Sequence, residues 1–333
     1  MTSWNAAAAA SAMIVLSTAV VQARQPDGGP PCIIGQSLDE AWWTGPMLAP
    51  SAGTLPRGHF LIEPYLFDVV LRGRFDPQGT RHNVPSSHDF GSLTYLLYGL
   101  TDRVTIGTTP TFFYAVASDG TSSSRPAPGD VAVLAQYRLS QFRPCRRMPT
   151  ISVNVQETLP SGRFDRLGER PTDGFGSGAY TTTLSIYSQS YVWLPNGRIL
   201  RMRMNVSQGT SSGVSLSDVS VYGTRAGFRG RAEPGNAFVF DGSLEYSATR
   251  GVALAFETVY RRDGPTRLTG SNSADPAGRI DVDSGVSHTL AFAPAVEFSW
   301  KSTIGVLVGV RVIAAGRNTA STVTPAVAIN IVR

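Results

Sequence analysis

The 333-residue chain has little charge, with Asp, Glu, Lys and Arg making up 16 % of it, and only two cysteines and one lysine, Lys301. Low charge beside 42 % apolar content excludes a disordered chain and a charged coiled coil. After the N-terminus no apolar run approaches the roughly 20 residues that a spanning helix needs, so a membrane form would have to be a closed barrel. The net charge of +5 comes almost entirely from scattered arginines. A nucleic-acid binder would gather its cations into a patch with interleaved aromatics, and none is found. Two cysteines, Cys32 and Cys145, carry no spacing signature, so pairing and two free thiols are both open at this point.

Residues 1–23 hold no charged side chain, run apolar from Ala6 to Val21 and end Val21-Gln22-Ala23 before Arg24, the pattern of a cleaved signal peptide. Residues 24–57 are rich in Pro and Gly without a period, which predicts an extended N-terminal segment on the periplasmic side. From residue 58 to 333, stretches alternate apolar and polar side chains between Gly, Pro, Asn, Asp and Ser, the period-2 signal of strands.

Twelve such stretches are expected: Phe60 to Leu71, Phe90 to Tyr98, Arg103 to Val116, Asp130 to Gln141, Thr150 to Thr158, Ala179 to Leu194, Arg198 to Ser207, Ala237 to Ala248, Val252 to Arg262, His288 to Trp300, Thr303 to Ala315 and Ser321 to Val332. Tight connections alternate with long ones, such as Leu159 to Gly178, Gln208 to Asn236 and Asp263 to Ser287. An all-β, up-and-down transmembrane antiparallel barrel predicts that asymmetry, with short periplasmic turns, long extracellular loops and both termini periplasmic. The faces agree: Leu290, Phe292, Val296 and Phe298 share one row, opposite Glu297 and Ser299. A soluble sandwich would turn its polar row outward and use shorter strands. Tyr98, Trp193 and Trp300 lie beside tight turns, where an aromatic girdle would sit.

These assignments place Glu63, Gln136, Arg138, Asn154, Gln156, Arg201, Arg203, Asp241, Glu245, Glu257, Glu297 and Arg311 in the lumen. Four cations against five anions form no ring of one sign, which argues against a dedicated anion channel. A satisfied network closing a narrow barrel and a polar constriction for neutral solutes are both open. Phe112, Phe113 and Tyr114 near the outer rim, with Phe164, Phe175, Tyr222, Phe228 and Phe240 around the long loops, fit either an apolar ligand pocket or a rim girdle.

Catalytic patterns are weak. Gly209-Thr210-Ser211-Ser212-Gly213 has the letters of a nucleophile elbow but reads as a loop, without the strand and helix that motif requires. His82 and His88 lack partners for a metal site, and adjacent Ser287 and His288 point to opposite faces. No metal and no cofactor are expected.

Trp43-Thr44-Gly45-Pro46, Ala49-Pro50-Ser51, Leu55-Pro56, Gly58-His59-Phe60, Glu63-Pro64-Tyr65, Tyr98-Gly99-Leu100-Thr101-Asp102-Arg103, Gly129-Asp130-Val131, Leu159-Pro160-Ser161-Gly162 and Gly176-Ser177-Gly178 resemble an outer-membrane transporter family labelled meta-pathway phenol-degradation proteins. The resemblance covers most of the chain after residue 23. It implies a barrel in the bacterial outer membrane that admits small hydrophobic or aromatic solutes, with lipid and the barrel-assembly machinery as partners. Barrels of this kind usually finish on an aromatic residue that the machinery reads, whereas this chain finishes Asn330-Ile331-Val332-Arg333. That departure puts efficient insertion in question. With the topology assigned, Cys32 and Cys145 share the periplasmic side, and a disulfide between them would tie the N-terminal segment to the barrel base. The expected function is passive passage of such solutes. A structural or adhesive barrel is the alternative, and a barrel-embedded lipid hydrolase a remote one.

Overall fold

The computed structural model describes residues 35–143, 148–273 and 275–333. Twelve antiparallel strands form its body: β1 (Phe60–Phe75), β2 (His88–Thr101), β3 (Val104–Thr109 continuing as Thr111–Val116), β4 (Val131–Ser140), β5 (Thr150–Leu159), β6 (Thr181–Trp193), β7 (Ile199–Ser211), β8 (Ala237–Ser247), β9 (Val252–Asp263), β10 (Ser287–Lys301), β11 (Ile304–Arg317) and β12 (Thr319–Val332). Each pairs with the next, and β12 pairs back onto β1 from Leu61↔Val332 to Phe75↔Thr319, which closes the barrel and removes both edges. β3 breaks at Pro110, which has no N–H to give to the ladder, while its carbonyl still accepts from Thr94 at 3.1 Å.

The two faces of the wall are inverted relative to a soluble protein. Leu66, Leu184, Ile186, Met204, Leu254, Phe256, Val296 and Val308 are exposed on the outside, whereas Asn154, Arg201, Arg203, Asn205, Glu245, Glu257 and Glu297 are buried inside. Only an apolar solvent rewards that arrangement, because each outward backbone polar group is already used in a ladder.

Connections at the tight-turn end are short: β2 to β3 needs only Asp102 and Arg103, and β10 to β11 only Ser302 and Thr303. At the opposite end, the stretches expected as plain loops in 208–236 and 263–287 contain a second sheet. Val214–Ser217, Phe228–Glu233, Arg267–Asn272 and Asp275–Asp283 pair in that order. Val214, Leu216, Phe228, Ala232 and Ala179 form its core. Gly230 is needed beneath the Phe228 ring: a Cβ there would meet the Thr269 carbonyl at 2.1 Å and Phe228 itself at 2.7 Å. The last hairpin turns on Asn318 alone, at φ 52, so β11 and β12 each run two residues past the expected ends at Ala315 and Ser321. β7 also extends to Ser211, so Gly209-Thr210-Ser211 is strand, with Ser211 Oγ 2.8 Å from Thr181 Oγ1.

Candidate functional site: an occupied lumen and its mouth

Residues 41–56 form an extended strap inside the barrel, and residues 35–40 and 57–59 flank it at the tight-turn rim. The sequence explains why such a strap needs the wall. Pro46, Pro50 and Pro56 with Gly45 and Gly53 prevent a regular element, leaving backbone N–H and C=O groups that must find partners once buried.

The inward rows of the strands supply them. Glu297 Oε2 accepts the amides of Thr44 at 2.8 Å and Gly45 at 2.9 Å. Glu257 Oε2 accepts those of Leu48 at 2.9 Å and Ala49 at 2.6 Å. In return Arg203 donates to the Ala49 carbonyl at 2.6 Å, Asn205 to that of Pro50 at 3.0 Å and Gln136 to that of Ser51 at 3.0 Å. Ser152 donates to the Ala52 carbonyl, and Thr105 Oγ1 accepts the Leu55 amide at 2.9 Å. The strap is therefore bonded in succession to β10, β9, β7, β4, β5 and β3, crossing the lumen. Met47 adds an apolar anchor against Tyr65, Ala255, Ala293, Ala295, Leu307 and Ala328.

Beneath it, Arg201 binds Glu245 with two donors, and Arg203 Nε stands 3.2 Å from the same carboxylate. The Trp43 ring covers Arg201 at 4.4 Å. A buried pair of arginines sharing one carboxylate is costly to desolvate, and the ring and the adjacent acids offset that cost.

Of the residues assigned to the lumen, Gln136, Asn154, Arg201, Arg203, Asp241, Glu245, Glu257 and Glu297 are buried on the inner face. Glu63, Arg138, Gln156 and Arg311 lie on the same inward rows and are half-buried. Arg203, Glu257, Glu297 and Gln136 reach the strap, joined by Thr105, Ser152, Gln189 and Asn205, which sequence reasoning did not single out. Their signal was small or amide side chains on the inward row.

The three expected girdle aromatics separate. Tyr98 packs on Phe60 at 4.9 Å, and Trp300 on Phe298 at 5.1 Å, both on outward rows at the tight-turn end. Trp193 instead lies on the inward row with Gln189 and Tyr187, and its indole N–H donates to the Gln36 carbonyl at 2.8 Å. It anchors the strap, and residue parity along β6 is the reason it cannot reach lipid. Cys32, Cys145 and residues 1–23 lie outside the described residues.

At the long-loop end a cavity of about 480 Å³ opens above the strap. Val69, Asp89 and Ala115 stand abreast on β1, β2 and β3, facing inward. Phe67, Phe113 and Phe175 form a ladder of rings, 6.2 Å and 5.5 Å apart. The ladder requires Gly91, since a Cβ there would meet the Phe67 ring at 2.3 Å. Phe113 and Phe175 thus line a mouth cavity, whereas Phe112 is exposed outside and Phe164, Tyr222 and Phe228 belong to the loop core. The loop that carries Phe175 is fixed by Asp173, which accepts Ser124 N at 2.7 Å. These hydrogen bonds hold the exposed Asp173 carboxyl below the usual aspartate range.

Nothing resembling a catalytic site is assembled among the described residues. His82 and His88 each meet their own aspartate, Asp76 and Asp68, both at 2.8 Å. His288 Nδ1 faces the Tyr260 hydroxyl at 2.9 Å, away from Ser287.

No family model and no curated protein sequence matches the chain. Solved structures do. The COG4313 outer membrane channel from Pseudomonas putida F1 aligns at a TM-score of 0.66 and 15% identity, covering 86% of this chain and 100% of that one. The NanC porin aligns at 0.41 and 10%, covering 82% and 98%, and the Pseudomonas putida toluene transporter TodX at 0.37 and 11%, covering 83% and 90%. At such identities the likeness establishes a shared fold, and the COG4313 channel alone among these three is close enough in shape to carry it: the chain has the architecture of an outer-membrane β-barrel.

Proposed function

We propose that the protein is a passive channel of the bacterial outer membrane for small hydrophobic or aromatic solutes, with the long loops outside and the strap crossing the path. Lipid contacts the outward apolar belt. The observation that carries this reading is an aromatic-lined cavity at the long-loop end of a closed barrel whose lumen holds a strap bound mainly by side-chain hydrogen bonds, with backbone bonds such as Trp42 to the Arg250 carbonyl at its ends. A purely structural barrel would gain more from filling its interior with its own wall side chains, as small barrels do. Flux through it follows the solute gradient.

The test is uptake of labelled toluene and labelled benzoate by cells with and without the gene, repeated after the outer membrane is permeabilised. The channel reading expects gene loss to slow uptake of at least one solute, and only while that membrane is intact. Unchanged uptake of both solutes would transfer support to a structural or adhesive barrel.

A further inference from the structure

The mouth cavity has a chemistry of its own. Its lining is mostly apolar, with Val69 and Ala115 on the barrel and Phe113 and Phe175 in the ladder. Polar groups enter it at few points, and one of them is ionisable: Asp89, midway between Val69 and Ala115 in the inward row. Among the described residues, no cationic side chain lines the cavity. Asp89 has no hydrogen-bond or ion-pair partner among the described residues. The neighbouring acids are already committed, Asp68 to His88 on the outer face of the wall and Asp173 to Ser124 in the loop. Thr172 adds a buried hydroxyl without a partner to the same wall.

An unpaired carboxylate beside stacked rings accepts hydrogen bonds and attracts cations, and it repels carboxylates. We infer that this cavity is a charge-selecting binding site for small arenes bearing a protonated amine, in which Phe113 and Phe175 hold the ring and Asp89 pairs with the ammonium group. This deepens the channel reading, on which the placement of the site at an outer mouth rests. An aromatic cation also gains from the ring faces themselves. An aromatic carboxylate meets a like charge with no cation in the lining to offset it. The mouth then sorts solutes before they reach the strap, favouring ammonium over neutral hydroxyl and hydroxyl over carboxylate.

The probes are benzylamine, benzyl alcohol and benzoate, titrated at pH 7 onto the full chain in zwitterionic detergent and followed by ligand-observed NMR, with protein-free micelles as the blank. The expected order of affinity is amine, alcohol, benzoate. Asp89→Asn weakens the amine by about tenfold and leaves the alcohol within about twofold, because one charge-assisted bond is lost and the ring contacts stay. Phe175→Ala, on a loop and outside the barrel wall, weakens amine and alcohol together, so the result does not hang on one variant.

The inference is overturned if the wild type binds benzoate as tightly as benzylamine, if it binds none of the probes, or if Asp89→Asn keeps the preference for the amine. Conductance of the same preparation separates the two readings. The expected binding order without any conductance would remove the channel and keep the site. Conductance without the order would keep the channel and remove the site.

Discussion

Glu257 and Glu297 each spend a carboxylate on backbone amides of the strap, an unusual use of a buried acid and a strong one. Removing the acceptor leaves two buried donors without partners. Glu257→Ala should therefore weaken the strap's central attachment by about 2–4 kcal/mol. The expected readout is faster hydrogen exchange at the Leu48 and Ala49 amides, by at least about thirtyfold, with the β9 ladder unchanged. Unaltered protection at those two amides would show that Met47 packing holds the strap. Outside the wall, Asp173 titrates below the ordinary aspartate value of 3.8 because Ser124 hydrogen bonds favour its charged form. Its contribution to loop order is thus present above that value and fades as the pH falls through the lower one. Carbon-detected carboxyl titration should show Asp173 below the ordinary range, and Ser124→Ala should move it part of the way back; an unshifted Asp173 would remove the loop clasp from this account.

At the scale of elements, the outward rows make a depth-dependent claim. Phe256→Arg, in the exposed apolar row near the middle of β9, should cost about 2–4 kcal/mol of barrel stability. Unfolding in lipid vesicles measures it, and a neutral substitution would contradict a lipid-facing row. Phe228→Ala should act elsewhere, loosening the four-stranded loop sheet by about 3–5 kcal/mol while the barrel keeps its heat-modifiable mobility. Protease cleavage within 218–227 is the readout, and unchanged resistance would show that the sheet does not depend on that ring. These two elements also mark what could be read in advance. All twelve barrel strands were legible, to within a few residues, because a wall between lipid and a polar lumen writes a strict alternation. The loop sheet was not, because its strands are short and glycines replace side chains beneath Phe228, which erases the alternation. The strap's attachments were not legible for another reason: its partners are side-chain donors and acceptors from several strands far apart in sequence, and no local pattern encodes such a match. Trp193 shows the same limit, since nearness to a turn does not fix which face a ring takes.

For the whole molecule, the channel reading turns on a closed wall, an aromatic cavity at the long-loop end and a lumen occupied by the strap. The strap enters at the tight-turn end by Gln36, reaches Glu257 near the Met47 anchor, and returns to β1 through Arg57, whose amide bonds Asp102. Its contacts cross the interior from β10 to β3, so on the proposed channel reading its removal should open the lumen. Single-channel conductance in a planar bilayer, comparing the full chain with a variant in which residues 41–56 are replaced by a short Gly-Ser linker, tests this most directly. The account predicts a low conductance for the full chain and a several-fold larger one for the variant, with both proteins folded by heat-modifiable mobility. Equal conductance in the two would contradict it, because a folded barrel that conducts alike with and without the strap does not have its path through this lumen.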